Sequence, residues 1–193
     1  MKSVAVFCAS ANGINPVYRS IARQTGSILA RRGCDVVYGG ARVGLMGEVA
    51  DGALDAGGWV VGVLPEFLRD RELAHTGISE MIFVKSMHDR KRILQERSDA
   101  ILTLPGGFGT MEEFFELLTW SQLGLHSKPI GILNVNGVYD HLIQLFDTLE
   151  AEGFIRTKNR DLVLVDSDLE RLLDAMERYQ APERTVIIDE RTI

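Results

Sequence analysis

Ala100-Ile101-Leu102-Thr103-Leu104-Pro105-Gly106-Gly107-Phe108-Gly109-Thr110-Met111-Glu112-Glu113 is the stretch on which the fold turns. Its first five residues form a short apolar run. Phe114, Phe115, Leu117 and Leu118 follow at helical spacing, so the glycine-rich loop joins a strand to a helix. Glycines let backbone approach a phosphate closely. The free N–H groups of a helix start donate to that phosphate, and the helix dipole favours its charge. Thr110 adds a hydroxyl donor, and the stretch as a whole predicts a phosphorylated substrate. The loop lacks the Lys-Ser or Lys-Thr of a P-loop, and its glycine spacing is not GxGxxG. Thr110-x-x-Glu113 is also the spacing of a capping box, in which each side chain satisfies the other residue's backbone N–H. Capping does not account for the proline and three glycines that precede the threonine.

Outward from this stretch, short apolar runs at 4–9, 35–38, 59–64, 81–84, 100–104, 129–133 and 162–165 alternate with helical patterns. The helices are predicted at about 15–32, 45–57, 87–98, 110–124, 138–152 and 167–180. Strands rich in Val, Ile and Leu linked by helices indicate an α/β fold: a Rossmann-like, doubly wound, mainly parallel seven-stranded sheet flanked by helices. Right-handed crossovers place all strand C-termini on one edge. Ligands bind such sheets at that edge, where strand order reverses. The same edge receives Ser10-Ala11-Asn12-Gly13 after the first strand and Gly39-Gly40-Ala41-Arg42-Val43-Gly44-Leu45-Met46-Gly47 after the second. With no repeat, low-complexity tract or linker, residues 1–181 are expected to form one domain. Residues 182–193 form a tail, mixed polar and β-branched, that either adds a strand or stays exposed.

A chain of 193 residues with 46% hydrophobic and 25% charged residues can bury a substantial core. Its formal net charge of -6 argues against a surface that tracks a nucleic acid backbone. Cys8 and Cys34 are too few for a disulfide framework, and both fall in apolar runs where a reduced, buried thiol is expected. That reading places the protein in the cytoplasm. The first apolar run is too short for a signal peptide, and no stretch is long enough to span a membrane.

Ser86-Met87-His88-Asp89-Arg90-Lys91-Arg92 follows the fourth apolar run, and its Ser-x-x-Asp spacing suits a helix N-terminus. Arg90 can then point into the crevice and grip a phosphate or carboxylate, or join Lys91 and Arg92 in a solvated basic face. His88 reads as a surface residue. Glu112 and Glu113 diverge by about 100° around their helix, so one of the two faces the ligand. Glu113 is the better placed and Glu112 the surface candidate. His75, His88, His126 and His141 are dispersed and unpaired with cysteines, so no metal is expected. A phosphate cradle, an arginine and a glutamate suit cleavage at an anomeric carbon, where positive charge develops on the sugar, and that chemistry needs no cofactor.

Pro105-Gly106-Gly107-Phe108-Gly109-Thr110-Met111-Glu112-Glu113, with Met87 to Lys91 upstream and the glycine-rich turn from Gly39 to Gly47, resembles the LONELY GUY family. These are cytokinin riboside 5′-monophosphate phosphoribohydrolases, often labelled lysine decarboxylases, and the likeness spans residues 1 to about 180. It implies hydrolysis of the N-glycosidic bond of a 5′-phosphorylated adenine nucleoside, with AMP as another candidate, giving free base and ribose 5-phosphate. Arg90 and Glu113 would be the catalytic pair. Glu72, Lys91, Gly107, Phe108, Gly109, Thr110, Met111, Glu112 and Thr119 would contribute to the substrate site. The family is dimeric, so a homodimer is expected, and the helix face of Leu117, Trp120 and Leu123 could serve core or interface. The decarboxylase label fits poorly, because that reaction needs an electron sink such as pyridoxal phosphate held by a lysine. Lys91 is the one lysine inside a candidate site, and arginines flank it. Two other readings use the same fold. One is a non-catalytic nucleotide or cofactor carrier or sensor, as the related molybdenum-cofactor carriers are. The other is a single-stranded DNA binder, which the acidic balance disfavours.

Overall fold

The computed structural model describes residues 1–69 and 74–182. Seven strands carry the chain: β1 (Ser3–Phe7), β2 (Asp35–Tyr38), β3 (Val60–Pro65), β4 (Glu80–Val84), β5 (Ala100–Thr103), β6 (Ile130–Leu133) and β7 (Val163–Asp166). They form one sheet in the order β4-β3-β2-β1-β5-β6-β7, and every pairing is parallel. The sheet is thus the doubly wound one expected. Strand order reverses between β1 and β5, whose register pairs Val4 with Ala100 and Phe7 with Thr103.

Helices α1 (Val17–Arg31), α2 (Gly44–Asp55), α3 (Met87–Glu96), α4 (Phe108–Gln122), α5 (Asp140–Ala151) and α6 (Thr157–Arg160) lie between strands, and α7 (Leu169–Arg178) follows β7. Alternation along β1 explains the two cores. Val4, Val6 and Cys8 pack with residues of α1, α2 and α7, while Ala5 and Phe7 pack with Phe114 and Leu117 of α4, Leu94 of α3 and Phe146 of α5. A strand buried on both faces needs apolar residues at every position, hence the continuous runs. Helices α1 and α2 touch backbone to backbone. A β-carbon on Gly26 would lie 1.9 Å from the Val49 carbonyl oxygen, and one on Gly52 would lie 2.0 Å from that of Arg23.

Three features depart from the pattern-based expectation. Helix α6 and single 3-10 turns at Glu66–Leu68 and Val135–Gly137 were not anticipated, because three or four residues are too few to show a period. β1 ends at Phe7 rather than at residue 9, since Ala9 leaves the ladder to donate its N–H to the Pro105 carbonyl (3.2 Å). Helix α4 begins two residues earlier than predicted. Leu117 belongs to the core, Trp120 packs half-buried against it, and Leu123 is half-buried at the end of α4.

Candidate active site

Three loops meet at the C-terminal edge of β1, β2 and β5. Met46 and Leu45, in the first turn of α2, donate their N–H groups to Ala9 (3.2 Å) and Ala11 (3.3 Å), so the loop after β1 caps that helix. Gly44 has φ +63°, and a β-carbon there would lie 2.2 Å from the Ser10 backbone; only glycine permits this crossing. The third loop is anchored by Tyr139, whose hydroxyl donates to the Leu104 carbonyl at 2.8 Å and is hydrogen-bonded by the Gly106 backbone. Between the loops lies a cavity of about 270 Å³. Cys8, Ser10 and Ala11 line it from the loop after β1, Gly39 from the loop after β2, and Met46 and Arg90 from α2 and α3. Gly107, Phe108, Gly109, Thr110 and Glu113 line it from α4.

The N-cap of α4 is Gly107, with no side-chain cap. Thr110 is therefore the third residue of the helix and cannot head a capping box with Glu113, which corrects that reading of the spacing. The reason lies in the glycines: Gly107 adopts an extended φ of -97° and ψ of -152°, and the chain enters the helix directly from it. By helical geometry the N–H groups of Phe108, Gly109 and Thr110 have no carbonyl partner in the helix, and the first bond is from Met111 to Gly107 (3.0 Å). A β-carbon on Gly107 or Gly109 would meet nothing within 4 Å, whereas one on Gly106 would strike Thr110. Gly106 is thus a packing glycine, and the space beside Gly107 and Gly109 is open to a ligand. Phe108 is exposed at the rim.

The charged pair comes from two helices. Ser86 caps α3 by accepting from the Asp89 N–H at 3.0 Å, as its spacing predicts. One turn later Arg90 is 6% exposed. Its Nε donates to the Val63 carbonyl at 3.1 Å, and its Nη1 lies 3.3 Å from Oε1 of Glu113, itself 9% exposed. The three cations of 90–92 do not share a face. Lys91 pairs with Glu112 (2.6 Å) and Glu116 (2.9 Å), and Arg92 pairs with Glu96 in solvent. His88 is exposed, as expected. Burial, followed by the nearby Glu113 carboxylate, pushes the Cys8 thiol far above the ordinary thiol range, so it stays neutral.

Of the residues expected at the site, Arg90, Glu113, Gly107, Phe108, Gly109 and Thr110 line the cavity. Lys91 and Glu112 pair with each other and do not line it. Met111 packs against the core below α4, and the Thr119 hydroxyl donates to the Phe115 carbonyl (2.7 Å) on an exposed turn. Glu72 lies outside the described residues. Cys8, Gly39 and Met46 were not singled out; the glycine pair at 39 and 40 was the available signal. Among the described residues no group of three His, Cys, Asp or Glu is placed to hold a metal ion.

A cavity at the point where an all-parallel sheet reverses its strand order is the ligand crevice of Rossmann-like α/β proteins. Within that class, the family model described as "Possible lysine decarboxylase" matches residues 46–176. A cytokinin riboside 5′-monophosphate phosphoribohydrolase of Rhodococcoides fascians is 48% identical over 176 residues, 91% of this chain and 89% of that protein. A probable enzyme of the same name from Oryza sativa subsp. japonica is 45% identical over 95% of this chain and 82% of its own length. The chain belongs to the LONELY GUY family. Among solved structures, the Moco carrier protein of Chlamydomonas reinhardtii superimposes with a TM-score of 0.70 at 23% identity, covering 92% of this chain and 96% of that one. That likeness is one of fold.

Proposed function

We propose that the protein hydrolyses the N-glycosidic bond of nucleoside 5′-monophosphates, cytokinin riboside 5′-monophosphates and AMP among them, releasing free base and ribose 5-phosphate. The observation that carries this reading is the buried Arg90–Glu113 pair in one cavity with the open helix start at Gly107 to Thr110. The amides of Phe108, Gly109 and Thr110 hold the 5′-phosphate, helped by the α4 dipole and the Thr110 hydroxyl. As the glycosidic bond lengthens, the base nitrogen leaves with the bonding pair and positive charge grows on the anomeric carbon. The Glu113 carboxylate stabilises that charge and takes a proton from the water that attacks the carbon. Arg90, 3.3 Å from the carboxylate, orients Glu113. The names of the relatives, cytokinin riboside 5′-monophosphate phosphoribohydrolases, support the substrate class.

Pyridoxal phosphate does not fit the residues present. Of the five lysines, Lys91 is the one near the cavity, and two carboxylates hold it charged, the opposite of the neutral amine that forms a Schiff base. We further propose a homodimer working in the cytoplasm. Exposed Phe67, Phe83 and Phe115 offer apolar area to a second copy, and two buried free cysteines suit a reducing compartment. No helix among the described residues is long and apolar enough to cross a membrane. Light scattering on the purified chain tests the dimer.

The test of function is incubation with AMP and, separately, its N6-isopentenyl form, followed by chromatography of the free base. Base release establishes the glycosidase, and the ratio of rates separates salvage from cytokinin activation. Binding without base release replaces this reading by that of a nucleotide carrier or sensor.

A further inference from the structure

The guanidinium of Arg90 occupies space that a β-carbon on Gly39 would take, so the turn after β2 must hold its place for Arg90 to meet Glu113. That turn, residues 39–43, begins with two glycines, Gly40 at φ +83°, and glycine backbone is the least restrained by its own sterics. The segment between β3 and β4 restrains it from outside. Ala74 pairs with Ala41 in an isolated antiparallel bridge, and the His75 N–H donates to the Gly40 carbonyl at 2.9 Å. The His75 side chain reaches on to α2, where its Nε2 lies 3.1 Å from Oδ1 of Asp51. Its Nδ1 accepts the Gly77 N–H at 3.1 Å, which leaves the ring hydrogen on Nε2 to be donated to Asp51. The imidazole is 13% exposed and does not line the cavity. The backbone of residue 75 thus grips the turn, and its ring grips the helix into which the turn runs. The first turn of that helix supplies Met46 to the cavity wall.

We propose that His75 and Asp51 are positioning residues: the bracket they form fixes the Gly39–Gly40 turn and, through it, the guanidinium of Arg90. This rests on the hydrolase reading above. Asp51 is half exposed, and a bond so close to solvent adds little to stability. Its effect is on the geometry of the reacting groups, where a displacement of about 1 Å costs on the order of a hundredfold in rate. Neither residue lines the cavity, so substrate binding is left largely unchanged.

The experiment compares His75→Asn, His75→Gln, Asp51→Ala and the double variant His75→Asn with Asp51→Ala against wild type. It measures kcat and KM for AMP, the Kd of ribose 5-phosphate, and the melting temperature. Asparagine keeps an acceptor near the Nδ1 position for Gly77 and is too short for Asp51, whereas glutamine places an amide near the Nε2 position. Expected for His75→Asn and Asp51→Ala is a fall in kcat of about fivefold to thirtyfold, with KM and the Kd of ribose 5-phosphate within about twofold of wild type. The double variant should be no worse than either single one, since the two residues act as one bracket. His75→Gln retains most of kcat. If His75→Asn and Asp51→Ala both keep kcat within about twofold of wild type, whatever the melting temperature does, the pair is merely structural and the proposal is overturned. Losses that multiply in the double variant overturn it too, as does a loss in His75→Gln equal to that in His75→Asn. A joint rise in KM and the ribose 5-phosphate Kd would make the pair part of the binding site instead. Should His75→Asn fail to fold, Asp51→Ala and His75→Gln decide by the same measurements. Absence of turnover in wild type is a different result, since it removes the hydrolase reading and this proposal with it.

Discussion

A β-carbon on Gly39 would lie 2.2 Å from Nη2 of Arg90. The glycine that follows β2 thus leaves the space into which the guanidinium fits, and the same β-carbon would also approach Met46 Sδ at 2.9 Å. Gly39→Ala forces Arg90 and the end of the Met46 side chain to move. We expect kcat to fall by about tenfold to a hundredfold, with stability reduced by about 1–3 kcal/mol from overpacking. Steady-state kinetics beside a urea melt checks both, and full activity in the folded variant would show that the Arg90 position seen here is not the working one.

Glu113→Gln keeps shape and removes charge. Because Gly107 rather than Thr110 caps α4, Glu113 has no capping duty, so the variant is expected to fold and to bind ribose 5-phosphate. Turnover should drop by about 10²–10⁴. Retained turnover in a base-release assay would take Glu113 out of the chemistry.

Tyr139 reaches from the chain after β6 to hold the loop after β5, its hydroxyl donating to Leu104 at 2.8 Å. Tyr139→Phe should cost about 1 kcal/mol of stability. Its larger effect is expected on KM, because the loosened loop carries the amides proposed to hold the phosphate. A kcat loss with KM unchanged would contradict that assignment.

Alkaline pH should destabilise the protein through its thiols. Burial raises both Cys8, with Glu113 adding to the effect, and Cys34 above their ordinary values. In the unfolded chain they ionise near pH 8.5, so above that pH the native state binds more protons than the unfolded one and stability falls as pH rises. The slope is about 1.4 kcal/mol per pH unit for each fully protected thiol. Below pH 8 the effect is absent. Urea melts from pH 7 to 10 should show the decline, and Cys8→Ala should remove its share. In the native protein Cys8 should resist iodoacetamide at pH 8, and rapid alkylation would refute the burial argument.

Much of the site was legible because glycines punctuate it. The run through Gly109 gave a strand, a turn and a helix start in order, and the Ser86 cap placed Arg90 in the first turns of α3. The cap of α4 was misread because threonine is the stronger N-cap by propensity, and only the backbone angles at Gly107 show where the helix begins. The separate fates of Arg90, Lys91 and Arg92 were hidden for another reason. Three consecutive cations look alike until the carboxylates that face them, Glu113, Glu112 with Glu116, and Glu96, are known.

Apolar periodicity and glycine placement, both local properties of the chain, were enough to define a parallel α/β sheet with its loops on one edge. Periodicity works at that range because burial on both faces demands apolar residues at every strand position. Strand order is not a local property, and it is what seats β1 between β2 and β5. That order brings Gly39, Arg90 and Glu113, which are 51 and 23 residues apart along the chain, to the walls of one cavity. Helix packing then decided which cation met which carboxylate, because a charge withdrawn from water persists only where a partner is within reach.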